Sequence, residues 1–199
     1  MLMELDKTVH TLKEWAIAIN ALEAGKTIML LRKGGIHEKQ GRFQVAHQQV
    51  LLYPTFEHQQ AFLLKTEYAH LVQPVTSGWH PETLRIGSWA EITDILPVRD
   101  ESIVSRLLPF HIWNEHFIRD RLKWKAQQPL FILLLRTYTL PQVQEIPYRA
   151  EYGGCKSWID IAQPIQLQSS EPVLSDSYYI EIVKEIRAII GDKSYVPSV

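Results

Sequence analysis

The chain has 199 residues, 46% of them hydrophobic and 22% charged, with a formal net charge of −1. That length and apolar content suit a single folded domain with a sizeable core, and they exclude a disordered polymer. The near-neutral balance excludes a globally basic nucleic-acid binder, so any phosphate contact has to come from local segregation of charge.

In chain order, Leu12, Trp15, Ala16, Ile19 and Leu22 recur at helix spacing, with Thr8 or Thr11 as N-caps and Gly25 as the stop. Thr27 to Arg32 follows as a strand and leads into the turn Arg32-Lys33-Gly34-Gly35. Phe43 to Val45 and Val50 to Tyr53 read as short strands, the second ended by Pro54. A short helix is expected near Thr55 to Phe62, and an irregular stretch from Thr66 to Pro81. Arg85 to Leu96 reads as a strand, and Asp100 caps a short helix running to Leu108. Phe110 to Trp124 reads as an amphipathic basic helix with Phe110, Trp113, Phe117 and Trp124 inward and Arg119, Arg121 and Lys123 mostly outward. Leu130 to Leu135 is apolar on both faces, as in a central strand covered on both sides. Gln142 to Pro147 and Ser157 to Ile161 are further strands around a loop with Gly153-Gly154. The stripe Tyr179, Ile182, Val183, Ile186, Ile189 and Ile190 makes a last helix that stops at Gly191. The expected organisation is one α+β domain over 1–191 and a loose tail over 192–199.

Charge is segregated along the chain. Between Arg32 and His47, the cations Arg32, Lys33, Lys39 and Arg42 face Glu38 alone, and from Arg106 to Lys125 five cations face Glu115 and Asp120. The Arg32-Lys33-Gly34-Gly35 turn sets two cations beside two residues that let a ligand approach the backbone, a pattern suited to anions and equally to a plain hairpin. Six tryptophans and eight tyrosines offer stacking surfaces, with Tyr53, Tyr152 and Trp158 placed near strand ends and turns as pocket residues alongside Cys155.

Other chemistries have weaker support. Gly25-Lys26-Thr27 lacks the upstream glycine of a phosphate-binding P-loop, where Asn20 stands, and follows a helix instead of preceding one. Neither a dinucleotide fingerprint nor a serine nucleophile elbow occurs. His111, Glu115 and His116 suggest a metal-assisted nuclease, with His47 or His58 joining from elsewhere, but His116 is five residues from His111 and turned away from it. Cys155 beside Lys156 is the thiol-enzyme alternative. Neither a metal nor another cofactor is assigned from these patterns. The single cysteine excludes an intramolecular disulfide and agrees with a reducing compartment. The N-terminus lacks a signal-peptide layout, and the longest apolar run falls far short of the roughly 20 residues of a spanning helix. A cytoplasmic protein without membrane contact is therefore expected.

The stretches Lys13-Glu14-Trp15-Ala16, Leu30 to Ile36, Leu51 to Thr55, Pro109 to Trp113 and Glu151 to Cys155 resemble an uncharacterised bacterial family known only as a domain of unknown function. Some of its members occur with restriction-endonuclease-like domains, which implies a restriction or DNA-processing context and a nuclease partner. Ala24-Gly25-Lys26-Thr27 through Arg32 is also similar to the PUA-like barrels, including the ASCH group. That group has glutamate where Met29 stands here, and its arginine falls one position before Arg32. The second resemblance implies a small mixed, partly closed β-barrel flanked by helices, with a cleft for RNA or a modified base.

The resulting expectation is a nucleic-acid or modified-base binding module. Arg32, Lys33, Gly34, Gly35, Arg42, Arg119, Arg121 and Lys123 would position phosphates, and Tyr53, Tyr152, Cys155 and Trp158 would line the pocket. The alternatives are the metal or thiol enzyme, and a protein-interaction subunit of a nuclease system.

Overall fold

A computed structural model describes residues 6–34, 36–39 and 42–191, with side chains excepted at 37–39, 42 and 43. Gly35 and the expected tail over 192–199 lie outside the described residues, as does the side chain of Arg42.

β1 (Lys7–Trp15) runs directly into α1 (Ala16–Glu23). The helix expected through Leu12 and Trp15 is corrected here, because Thr8, Val9 and Thr11 are β-branched and the segment finds partners on both sides. Thr8 and Thr11 are thus strand residues, not caps. α1 keeps only the second half of the apolar stripe and buries Ala16, Ile19 and Leu22. Gly25 ends it at a φ of 65°, where a Cβ would come within 2.8 Å of the Leu174 side chain.

β2 (Met29–Arg32) comes next, then β3 (His37–Lys39) and β4 (Arg42–Gln44), which form a separate two-stranded sheet. β5 (Gln49–Thr55) runs through Pro54, which pairs in register with Glu14 of β1. Proline is tolerated there because the ladder from β5 to the next strand ends at Leu51, leaving that side of Pro54 without a bond to lose. After α2 (Thr66–Ala69) come β6 (Thr83–Val98) and α3 (Glu101–Arg106), the latter capped by Asp100 as the sequence predicts.

α4 (Glu115–Lys123) starts later than the aromatic spacing suggests. Residues 111–113 are held out of the helix by a Leu64–Trp113 bridge and a bond from Lys65 N to Ile112 O. Asn114 then caps the helix, its Oδ1 accepting from His116 N and Phe117 N at 3.0 and 3.2 Å. β7 (Leu130–Pro147) joins two expected strands into one, and β8 (Trp158–Gln166), β9 (Glu171–Pro172) and α5 (Asp176–Ile190) complete the order. Gly191 closes α5 in the left-handed conformation, at a φ of 85°.

The main sheet has seven strands in the order β2-β7-β6-β5-β1-β8, with β9 added to β7. Its β1–β5 pair is parallel and its other pairs are antiparallel. The larger core joins this sheet to α1, α4 and α5 through residues such as Leu22, Leu30, Leu133, Ile118 and Val183. A smaller core holds Leu51, Tyr53, Ile86, Trp89, Tyr152 and Ile161.

The fold is therefore mixed α+β, but no backbone ladder joins β2 to β8 among the described residues, so the sheet is not closed. Register breaks at Ile86/Ser88 and Ile92/Asp94 bend the long β6–β7 ribbon. Side chains then bridge the gap that hydrogen bonding leaves. Arg32, at the end of β2, donates to the Glu14 carboxylate at 2.7 Å and to Lys13 O at 3.3 Å on β1, and to Ser157 Oγ at 2.7 Å just before β8.

Asn114 fixes where α4 begins, and its amide also donates to Phe62 O and Leu64 O at 2.7 and 3.0 Å. Asn114→Ala removes the cap and strands both carbonyls, so a loss of about 2 kcal/mol is expected, read as a lower urea midpoint at unchanged slope. Asn114→Asp keeps the cap without the donors and should recover part of that loss.

Candidate ligand cleft

The bridge between β1 and β2 forms the floor of a cleft of about 790 Å³. Each wall comes from a different part of the chain. β1 supplies Lys13, Glu14 and Trp15, the end of β5 supplies Tyr53 to Thr55, and the stretch after α2 supplies Gly78 to Pro81. α4 and the residues flanking it add Trp113, Phe117, Arg121, Trp124 and Lys125, and the loop before β8 adds Tyr148 and Tyr152 to Ser157.

Aromatic rings line much of this space and brace one another. Tyr53 meets Tyr152 edge-on at 6.1 Å, Phe56 meets Trp79 edge-on at 5.7 Å, and His80 stacks on Tyr148 at 3.4 Å. Tyr53 is buried, and burial pushes its phenol up, so it stays neutral at ordinary pH. The Tyr152 hydroxyl accepts from Ala162 N at 2.9 Å, which ties the loop to β8. Trp79 and Trp124 remain 44% and 48% exposed, which leaves ring surface open to a ligand.

The cleft is also cationic, with Lys13, Arg32, Lys33, Arg121, Lys125 and Lys156 against Glu14 and Glu57. These groups are not equally available. Arg32 is satisfied by Glu14, Lys13 O and Ser157, and both members of the ion pair are only 12% exposed. Lys33 differs from the phosphate-facing turn residue that the sequence suggests. It is 3% exposed, and its ammonium donates to Leu122 O, Lys125 O and Gln128 O. Burial, and then the Arg99 charge, lower its pKa. Lys33 is thus a strut that holds the C-terminal end of α4, where carbonyls lack helical partners and a cation is favoured.

Lys13 is held in a similar way by Tyr152 O at 2.5 Å and Gly154 O at 3.0 Å, with its ammonium 5.8 Å from the Tyr53 ring centre. Burial lowers its pKa, opposed by Cys155 and Glu57. Arg121 lies over Phe117 at 4.8 Å and over Trp124 at 5.8 Å, and Lys125 lies 4.6 Å from the Trp124 ring centre. Lys156 is exposed.

The structure therefore brings Arg32, Lys33, Gly34 and Arg121 from the two basic segments to one cleft, together with Tyr53, Tyr152 and Cys155. Arg119 and Lys123 lie on exposed turns of α4 outside the cleft lining, and Trp158 packs against the larger core next to cleft-lining Ser157. Sequence reading missed Lys13 and Glu14 because that segment looked helical, although its run of β-branched residues was a strand signal. It missed Trp79 and His80 because no periodicity marks a loop.

The triad His111, Glu115 and His116 is not assembled. His111 is 2% exposed, with the Trp113 backbone as its polar neighbour, whereas Glu115 and His116 are exposed on α4. Burial, then the nearby Lys65 charge, drop the His111 pKa to about 3 from an ordinary 6.5.

The unfolded chain protonates His111 well before the folded protein does. Stability is therefore expected to fall as pH drops from about 6.5 towards about 3, and His111→Leu should flatten that part of the melting-temperature profile. An unchanged acid limb in the variant would exclude His111 as its source.

Residues 11–185 match the model of a family described as a domain of unknown function, DUF1802. No curated protein matches the chain. Among solved structures, ASCH from Zymomonas mobilis is similar to it, with 14% identity, a TM-score of 0.46, and coverage of 88% of this chain and 93% of that one. A point variant of the same protein is 13% identical, with a TM-score of 0.46 and coverage of 90% and 97%. No helix among the described residues is long and apolar enough to cross a membrane.

Proposed function

The chain belongs to the DUF1802 family, and we propose that it is a nucleic-acid or modified-base binding module whose ligand enters the aromatic cleft between β1, β5 and α4. The observation that carries this reading is the meeting of part-exposed tryptophans with an excess of cations over carboxylates in one concavity. Trp79 and Trp124 are part-exposed, Arg121 and Lys125 already lie against the Trp124 ring, and Arg121, Lys125 and Lys156 line the same space. A planar base gains stacking and cation–π contact from such a surface, and an attached phosphate gains charge. Duplex DNA offers no free base face, so a single strand or an extruded nucleotide fits this cleft better.

Within this proposal the phosphate track runs from Arg32, Lys33 and Gly34 past Arg121 to Arg119 and Lys123 on the outer turns of α4, with Gly35 and Arg42 kept as candidates on sequence grounds alone. Arg32 and Lys33 act mainly by holding its shape. Tyr53 and Tyr152 line the cleft as buried rings, and Cys155 lines it as an exposed thiol. A mixed, incompletely closed PUA-like barrel is the architecture we assign to it, completed by the Arg32 bridge.

Fluorescence anisotropy with labelled single-stranded RNA and DNA across a salt series tests this. Arg121→Ala should weaken binding and reduce the slope of log affinity against log salt by about one, and Arg119→Ala or Lys123→Ala should reduce the slope similarly. Trp79→Ala should cost about 1–3 kcal/mol with the slope intact, because it removes stacking and not charge. Wild-type protein that binds neither strand at low salt would overturn the reading.

A further inference from the structure

Away from the cleft, at the β8 edge of the main sheet, two imidazoles and a carboxylate converge. His10 lies on β1 directly opposite Asp160 on β8, and the His10 Nδ1 to Asp160 Oδ1 distance is 2.7 Å. His47, in the connection from β4 to β5, stacks on His10 with ring centres 3.4 Å apart and planes within 4° of parallel. One ligand atom from each of the three residues lies within 4.8 Å of the others.

The backbone is irregular at this point. The β1–β8 register jumps from Thr8 opposite Ile165 to His10 opposite Asp160, and His10 N donates to Thr8 Oγ1 at 3.1 Å. Such breaks re-aim side chains, and this one sets His10 against Asp160.

We propose that His10, His47 and Asp160 form a binding site for a zinc-class divalent ion. A tetrahedral ion with bonds of about 2.0–2.2 Å needs donors roughly 3.3–3.6 Å apart. Because the two ring planes are nearly parallel and imidazole lone pairs lie in the plane, loading requires the rings to turn out of their stack about χ1 and χ2 so that both lone pairs meet at one ion. Two imidazoles and one carboxylate suit zinc and its borderline neighbours, whereas magnesium requires an oxygen-rich shell. The bound ion would pin the β4–β5 connection to the β1–β8 edge, and the site stands independently of any ligand in the cleft.

Protein stripped with a chelator and titrated with zinc chloride against a competing chromophoric chelator tests the site. One zinc per chain is expected, with a higher melting temperature on loading and no response to magnesium. His10→Ala, His47→Ala and Asp160→Ala should each weaken binding by about tenfold or more, and Cys155→Ser should leave it unchanged. Cobalt substitution supplies a readout that does not depend on a variant folding: visible ligand-field bands without thiolate charge-transfer absorption support the assignment. Absence of zinc binding by the wild type, full binding by the triple variant, or a thiolate band traced to Cys155 would each overturn it.

Discussion

The ion pair between Arg32 and Glu14 joins two parts of the sheet, β2 and β1, that no backbone ladder pairs directly among the described residues. β2 ends one side of the strand order and β1 lies one strand in from the other, so contact between them requires the sheet to curl back on itself. A backbone ladder would join the two parts at every residue, whereas a guanidinium joins them at one point and leaves room beside it. The cleft occupies that room. Because the pair is largely removed from water, losing either partner strands a buried charge, a change that typically costs about 3–5 kcal/mol.

The same distinction between structural and available charge runs through the site. Lys33 and Lys13 spend their ammonium groups on backbone carbonyls. Lys33 locks the end of α4, and Lys13 anchors the loop carrying Tyr152 and Gly154. Both are cations near a cavity, yet their first effect is to fix its walls. Arg121, in the last turn of α4 beside the Leu122 carbonyl that Lys33 holds, is thereby positioned over aromatic rings and lines the cleft. A count of basic residues near a pocket overstates what a phosphate would meet there, because part of that charge is already engaged by the protein.

Much of the fold is legible along the chain. The apolar run at Leu130 to Leu135, the Asp100 cap, the strand from Arg85 to Leu96 and the stripe of α5 ending at Gly191 each follow from a local rule of periodicity, capping or turn chemistry. The errors come from competition between local rules and distant partners. Thr8 to Trp15 is helix-compatible by apolar spacing, but β5 and β8 offer it two ladders. Pro54 is a stop signal on its own, but its neighbouring strand ends at Leu51, so its missing N–H has no ladder bond to break on that side. The His111 imidazole sits in a sequence context that suggests ligation, but tertiary packing removes it from Glu115 and His116.

The amino-acid order alone determined the mixture of helices and strands, the absence of a disulfide framework within the chain, the two local concentrations of positive charge, and the aromatic residues near turns, because each depends on neighbours a few positions apart. Tertiary structure decided which cations are buried as struts, that Tyr53 and Tyr152 meet across a cleft, and that His10, His47 and Asp160 stand together. Those facts arise from contacts between residues separated by tens of positions or more, and such proximity is set by how the sheet curls and where its register breaks, quantities that no local spacing encodes.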